Sequence, residues 1–160
     1  METSGFKDVK LLDLVKEKNI QLNLEGNEKA EIISELVNIV VPASNKKARK
    51  LFFKAILTRE NLGSTAIGNG VAIPHAKISG ITKTILAIGR SPLGVDFNSL
   101  DGEKTYVFFM LLSSEKHIGS HLKILAKISK FMRDKFVVER FKSIKGKKEL
   151  LALLSSLETT

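Results

Sequence analysis

Thr105–Leu112 reads TYVFFMLL, eight residues without a charge, a glycine or a proline. Its Tyr106–Leu112 portion is the longest strongly apolar stretch of the chain, far short of the ~20 residues that a membrane-crossing helix requires. Aromatic and β-branched residues favour a strand over a helix in so short a run. A strand that is apolar at successive positions has both of its faces buried. The stretch is therefore expected to be the central strand of a sheet.

The segments on either side supply the rest of that sheet and its cover. Upstream, SPLGVDFNSLDG (91–102) reads as a turn-rich connection, Thr84–Gly89 as a second strand, and Val71–Ile73 as a short strand broken by Pro74. Ile20, Leu22 and Leu24 alternate with polar residues and predict another strand, after a short amphipathic helix over Val9–Val15. Gly26-Asn27 ends that strand, with Asn27 as a candidate helix cap. Ile33, Leu36, Val37 and Val40 then follow at helical spacing. Pro42 stops this helix. Ser44 or Asn45 caps the next, whose buried face is read as Ala48, Leu51, Phe52, Ala55 and Ile56, with Arg59 and Glu60 at its end. Downstream, three helices are expected. Ser120 caps the first, with Leu122, Leu125, Ala126 and Met132 on its face; Asp134 caps the second; Leu150, Leu153, Leu154 and Leu157 mark the third. Residues 1–8 read as a loose start. The order is strand, two helices, three or four strands, three helices. It predicts an α/β layered domain in which helices cover a mixed sheet, one domain over residues 1–160 with its core at about 9–157.

Composition narrows the chemistry. The chain has no cysteine, so disulfides, thiolate metal sites and cysteine nucleophiles are excluded. Imidazole chemistry rests on His75, His117 and His121 alone. The N-terminal METSGFKDVK lacks an apolar signal core, and a cytoplasmic protein without membrane insertion is expected. The formal charge of +9 points to an acidic partner of some kind: nucleic acid, anionic membrane, phosphate or protein. Nine Phe, one Tyr and no Trp are few for the stacking platforms of a single-strand binder.

The densest local signal is GSTAIGNGVAIPHAK, Gly63–Lys77. It lacks the Gly-Lys-Ser/Thr ending of a Walker loop. Its glycines lead into a strand rather than the helix that a dinucleotide fingerprint demands. What remains is a glycine-rich loop delivering Pro74-His75 at a strand end. Proline stiffens the support, and the loop amides with the hydroxyls of Ser64 and Thr65 stand ready to hold anionic oxygens. Such a place suits a histidine that accepts a phosphoryl group. Spacing alone leaves equally open a strand-end histidine with a structural hydrogen bond. His121, in the first turn of its expected helix, could remain neutral and donate to a phosphoryl oxygen; its plain alternative is a surface or capping residue. Arg59 could reach the same anion with its planar fork, or form half of a solvated charge pair. His117 lies in a loop and receives no role. It would not share a helical face with His121, no zinc-protease glutamate accompanies the pair, and no metal site is expected.

At these residues the chain resembles the fructose–mannitol class (type 2) of IIA proteins of the bacterial sugar phosphotransferase system. The likeness runs upstream through LTRENLGST (57–65) and downstream through LGVDFNSLDGEKTYVFFMLLSS (93–114) and GSHLKILAKISK (119–130), about Leu11 to Leu154 in all. The resemblance implies that His75 receives a phosphoryl group from a histidine-containing phosphocarrier protein. It implies that His121 contacts that group, that Arg59 lies close, and that Ser64 and Thr65 line the site. It implies a three-layer α/β fold with a mixed central sheet of about five strands and helices on both faces, and no cofactor. The family often carries glycine where Ala66 and Ala76 stand here, and neither change removes a chemical group. Two roles are implied: sugar uptake, with the phosphoryl group passed to a IIB domain, or nitrogen regulation by a stand-alone protein with its own regulatory targets. The lack of a fused IIB or permease segment favours the regulatory one. A regulator that kept the fold without transfer is a third reading. A nucleic-acid binder is the rival class, supported by Lys46-Lys47-Arg49-Lys50 and Lys145-Lys147-Lys148; no recognition-helix pattern accompanies these clusters, and no nucleic-acid partner is expected.

Overall fold

The computed structural model describes residues 9–159, so the expected loose start at 1–8 lies outside the described residues. The elements are β1 (Ile20–Gln21), α1 (Lys29–Val40), α2 (Lys46–Asn61), β2 (Ala66–Gly68), β3 (Val71–Ala72), β4 (His75–Ile78), β5 (Ile85–Val95), β6 (Thr105–Ser114), α3 (Ile118–Met132), α4 (Lys135–Ser143) and α5 (Lys147–Thr159). The sheet is mixed, in the order β1-β5-β6-β3-β2, with β4 also on β6. β6 is its centre, antiparallel to β5 and parallel to both β3 and β4.

The expected central strand explains the layering. Alternate side chains of a strand point to opposite faces. Val107, Phe109 and Leu111 enter one core with Ile124, Ile128 and Met132 of α3, Val138 and Phe141 of α4, and Leu150, Leu153 and Leu154 of α5. Phe108, Met110 and Leu112 enter a second core with Ile32, Ile33, Leu36 and Val37 of α1 and Phe52 and Ile56 of α2. The three layers follow directly from the unbroken apolar run Val107–Leu112 within β6.

Several local expectations are corrected. Val9–Val15 holds only a 3-10 turn at Leu11–Asp13. The strand read at Ile20–Leu24 pairs for two residues. Glu28, not Asn27, is the N-cap of α1, and Asn45 caps α2 by accepting from Ala48 N–H at 3.1 Å. Leu51 is 53% exposed, outside the buried face of α2. The connection 91–102 begins as sheet: β5 continues through Ser91–Val95 across an irregularity between Arg90 and Val95. A bulge of this kind accommodates Pro92 and Gly94 without ending the strand. A strand missing from the sequence reading, β2, lies inside the glycine loop and turns back through Asn69 (φ 58°) and Gly70 (φ 85°). Gly70 is required there because a Cβ would also come within 3.3 Å of the Tyr106 ring. Ala66, where the family often has glycine, lies in β2 and has no positive φ to satisfy.

Candidate functional site

Pro74 has no N–H to give and interrupts the strand, yet the line of the strand continues past it. Val71 lies opposite Val107 and His75 opposite Leu111, the same register on both sides, and the Pro74 carbonyl still accepts from Leu111 N–H at 2.9 Å. Alternation through Val71 and Ile73, both in the core under α3–α5, therefore puts His75 on the α3 face. There its ring meets the ring of His121 edge-on, centroids 5.4 Å apart at 61°.

His75 is half-buried, and its Nδ1 lies 2.7 Å from the Ile73 carbonyl oxygen. A carbonyl can only accept, so Nδ1 carries the hydrogen and donates it. The lone pair of the neutral ring is thereby assigned to Nε2. Burial holds the His75 pKa below the ordinary imidazole value. The Ile73 hydrogen bond works against that, Arg59 adds to it, Glu60 opposes, and Lys77 adds again. The ring is neutral, and nucleophilic at Nε2, near pH 7.

His121 is buried, against the surface or capping reading. The helix starts earlier than expected: His117 is the N-cap of α3 and Ser120 lies inside it, so His121 is the fourth helical residue and its N–H already bonds to the His117 carbonyl. Its Nδ1 is hydrogen-bonded to the Ser113 hydroxyl at the end of β6. Burial, then the charge of His75 and then Lys77, push its pKa down to about 4. The inward stripe of α3 is His121, Ile124, Ile128 and Met132, while Leu122 is 59% exposed and Ala126 also faces out. A histidine holds the position that sequence periodicity assigned to a leucine because Ser113 provides a partner inside.

Arg59, at the C-terminal end of α2, donates from Nη1 to the Gly63 carbonyl at 2.9 Å. It lines an open cleft of about 410 Å³ together with His75, His121, Lys77, Leu62 and Leu122. The three residues singled out from sequence are thus brought together. Ser64 and Thr65 stand differently. Ser64 donates its hydroxyl hydrogen to the Phe97 carbonyl. Thr65, itself buried, donates its own to Glu60 Oε1 at 2.6 Å, and its N–H bonds Glu60 Oε2 at 2.8 Å. Both hydroxyls therefore hold the loop in place and have no hydrogen left for a ligand oxygen.

Two contributors escaped the sequence reading. Glu60 is a buried carboxylate that also takes Lys29 Nζ at 3.2 Å. It fastens the loop to α1 and α2. The signal was its place just before the loop, indistinguishable there from a solvated helix-end acid. Lys77, in the quoted motif, acts electrostatically on both histidines. Among the described residues no group of three metal-ligating side chains occurs. The cleft thus offers one ring nitrogen with an available lone pair, a neutral imidazole beside it, and two cations. Such an arrangement can hold a transferable anionic group.

Comparison with known proteins finds a family that the chain matches. Residues 13–157 fit the family model "Phosphoenolpyruvate-dependent sugar phosphotransferase system, EIIA 2". The chain is 39% identical over 121 residues to the "PTS system fructose-specific EIIABC component" of Bacillus subtilis, which covers 76% of this chain but only 19% of that protein. It is 32% identical over 145 residues to a "Nitrogen regulatory protein" of Bradyrhizobium diazoefficiens, covering 91% of this chain and 94% of that one. Among solved structures, the nitrogen regulatory protein IIA-Ntr of Neisseria meningitidis superposes with a TM-score of 0.84 at 28% identity, covering 90% of this chain and 98% of that one.

Proposed function

Because the chain belongs to the EIIA 2 family of the phosphoenolpyruvate-dependent sugar phosphotransferase system, we propose that His75 accepts a phosphoryl group from the phosphohistidine of a histidine-containing phosphocarrier protein and later passes it on. The observation that carries this reading is the fixed tautomer: Nδ1–H is held by the Ile73 carbonyl and Nε2 faces the cleft beside His121 and Arg59. In the step, Nε2 forms a bond to phosphorus as the donor's nitrogen–phosphorus bond breaks. The donor ring leaves neutral. The His75 ring becomes cationic, keeps its Nδ1 hydrogen and strengthens the bond to Ile73. No proton has to leave, and no oxidation state changes in the transfer.

The surrounding groups stabilise the charge in flight. Arg59 and Lys77 supply positive charge. If the Ser113 hydroxyl donates to His121 Nδ1, His121 Nε2 carries a hydrogen and can offer it to a phosphoryl oxygen. Ser64 and Thr65 act through the loop they organise. Exposed Leu62 (82%) and Leu122 (59%) at the rim give the apolar contact that a transient partner needs. Near-complete mutual coverage with the Bradyrhizobium regulator supports a regulatory role in the cytoplasm, with the phosphorylation state of His75 as signal to regulatory targets. The identity to the fructose component supports a second reading, transfer onward to a IIB domain for sugar uptake. No described helix is long and apolar enough to cross a membrane.

The test is incubation with phosphoenolpyruvate, the first enzyme of the system and its phosphocarrier. An acid-labile phosphoryl group is expected on His75, and full labelling of a His75→Ala variant would overturn the assignment. Rapid discharge of the phosphorylated protein by a fructose-type IIB domain favours uptake; retention of the label favours regulation.

A further inference from the structure

The two imidazoles of the cleft are held by different chemistry. Each has its Nδ1 engaged from the sheet: His75 by the Ile73 carbonyl, His121 by the Ser113 hydroxyl. A carbonyl oxygen can only accept, which puts the ring hydrogen of His75 on Nδ1. A hydroxyl can donate or accept, so the surroundings of Ser113 decide the matter for His121. Ser113 is wholly buried. Val107, Phe109 and Leu111 of β6 face α3, and Ser113 is the next residue on that side. It lies opposite Lys77 of β4 as Leu111 lies opposite His75, so Ser113 and His75 serve one face of the sheet from neighbouring strands.

With its pKa pushed down to about 4, first by burial, His121 is neutral near pH 7 and carries one ring hydrogen. Two arrangements with Ser113 are then open. If Nδ1–H donated to the hydroxyl oxygen, the hydroxyl hydrogen would need a second acceptor, and among the described residues the hydroxyl bonds nothing but His121 Nδ1. A buried donor would be stranded, a costly state. If the hydroxyl donates to a bare Nδ1, both groups are satisfied and the ring hydrogen sits on Nε2. A buried hydroxyl directly after the apolar run Val107–Leu112 would itself be unfavourable without such a partner.

Resting on the phosphoryl-relay reading of His75, we propose that Ser113 is a positioning residue for the transfer: its hydroxyl keeps Nδ1 of His121 bare, so that His121 Nε2–H donates to an oxygen of the phosphoryl group on His75. Both rings line one cleft, their centroids 5.4 Å apart. They form a pair of complementary tautomers. His75 offers a lone pair at Nε2 to phosphorus, and His121 offers a hydrogen at Nε2 to the oxygens. The opposite tautomer of His121 would set a second lone pair against those oxygens and repel them.

The test reads the tautomers directly. In wild-type protein carrying isotope-labelled histidine, long-range proton–nitrogen correlation spectra near neutral pH should show His75 protonated at Nδ1 and His121 at Nε2. In a Ser113→Ala variant His121 should exchange between its two tautomers while His75 keeps its own. Transfer from the phosphocarrier to this variant should slow about tenfold, less than on loss of a whole preorganised donor. The loss should fall on the saturating rate and leave the half-saturating carrier concentration unchanged, because Ser113 is buried and meets no partner protein. Ser113→Thr, which keeps the hydroxyl, should restore both the tautomer and the rate. A wild-type His121 protonated at Nδ1 overturns the inference without calling on any variant to fold. Transfer to Ser113→Ala at the wild-type rate also overturns it. In either case a phosphoryl label on wild-type His75 leaves the relay standing. Absence of that label overturns the relay, and the role given to Ser113 with it.

Discussion

The Ile73 carbonyl oxygen, 2.7 Å from His75 Nδ1, decides which nitrogen of the ring can react. His121 depends on the same kind of constraint, through Ser113. Replacing His121 by Ala should slow phosphoryl transfer from the carrier about 10²-fold, the usual effect of losing one preorganised donor, with the fold retained; unchanged single-turnover kinetics would remove it from the site. The depressed pKa values also set a pH window. His121 titrates at about 4 when folded against 6.5 when unfolded, so between these values the unfolded chain binds more protons. Stability is then full above pH 6.5 and declines as pH falls toward 4, by on the order of 3 kcal/mol from this group, with His75 adding in the same direction. A His121→Asn variant should lose most of that slope, as read from urea midpoints measured between pH 4 and 7. Transfer to wild type should stay level through neutral pH, because Nε2 of His75 remains unprotonated there.

Helix α2 joins two tasks at opposite ends. Asn45 caps its start and Glu60 anchors its end to the loop that precedes His75. Removing a buried acceptor strands its donors, so Glu60→Ala should destabilise the protein by about 3 kcal/mol. It should also slow transfer to His75 in the fraction that remains folded, because Thr65 loses both of the bonds that hold it. Denaturant titration together with labelling at His75 checks both. The start of α2 and the proline that stops α1 were legible in the sequence because capping and dihedral restriction are local. The inward turn of Glu60 was not, because its partners Thr65 and Lys29 meet it only after the loop and α1 have packed. Helix α3 makes the same point: periodicity located the helix but chose Leu122 for its inner face, where the fold uses His121.

The assembled protein rests on β6, whose alternating side chains serve two cores. Its two ends are tied together by one carboxylate. Glu158, near the end of α5, accepts from Leu11 N–H at 2.7 Å, Leu12 N–H at 3.0 Å and Lys127 Nζ at 3.0 Å. Glu158→Ala should cost about 2–3 kcal/mol and lower the melting temperature, yet leave His75 labelling unchanged at temperatures where the variant is folded. A loss of transfer at such temperatures would show that this clamp reaches the site.

The sequence by itself determined the three-layer plan, the helix stops and the rigid presentation of His75. Each follows from backbone periodicity or from a residue's own dihedral limits, which act over a few positions. Only the tertiary structure decided which nitrogen of His75 is open, that His121 is buried against Ser113, that the hydroxyls of Ser64 and Thr65 serve the loop, and that Arg59 meets both histidines in one cleft. Those outcomes depend on partners far apart along the chain, and a hydrogen bond or a shared surface exists only once the sheet has brought its two sides together.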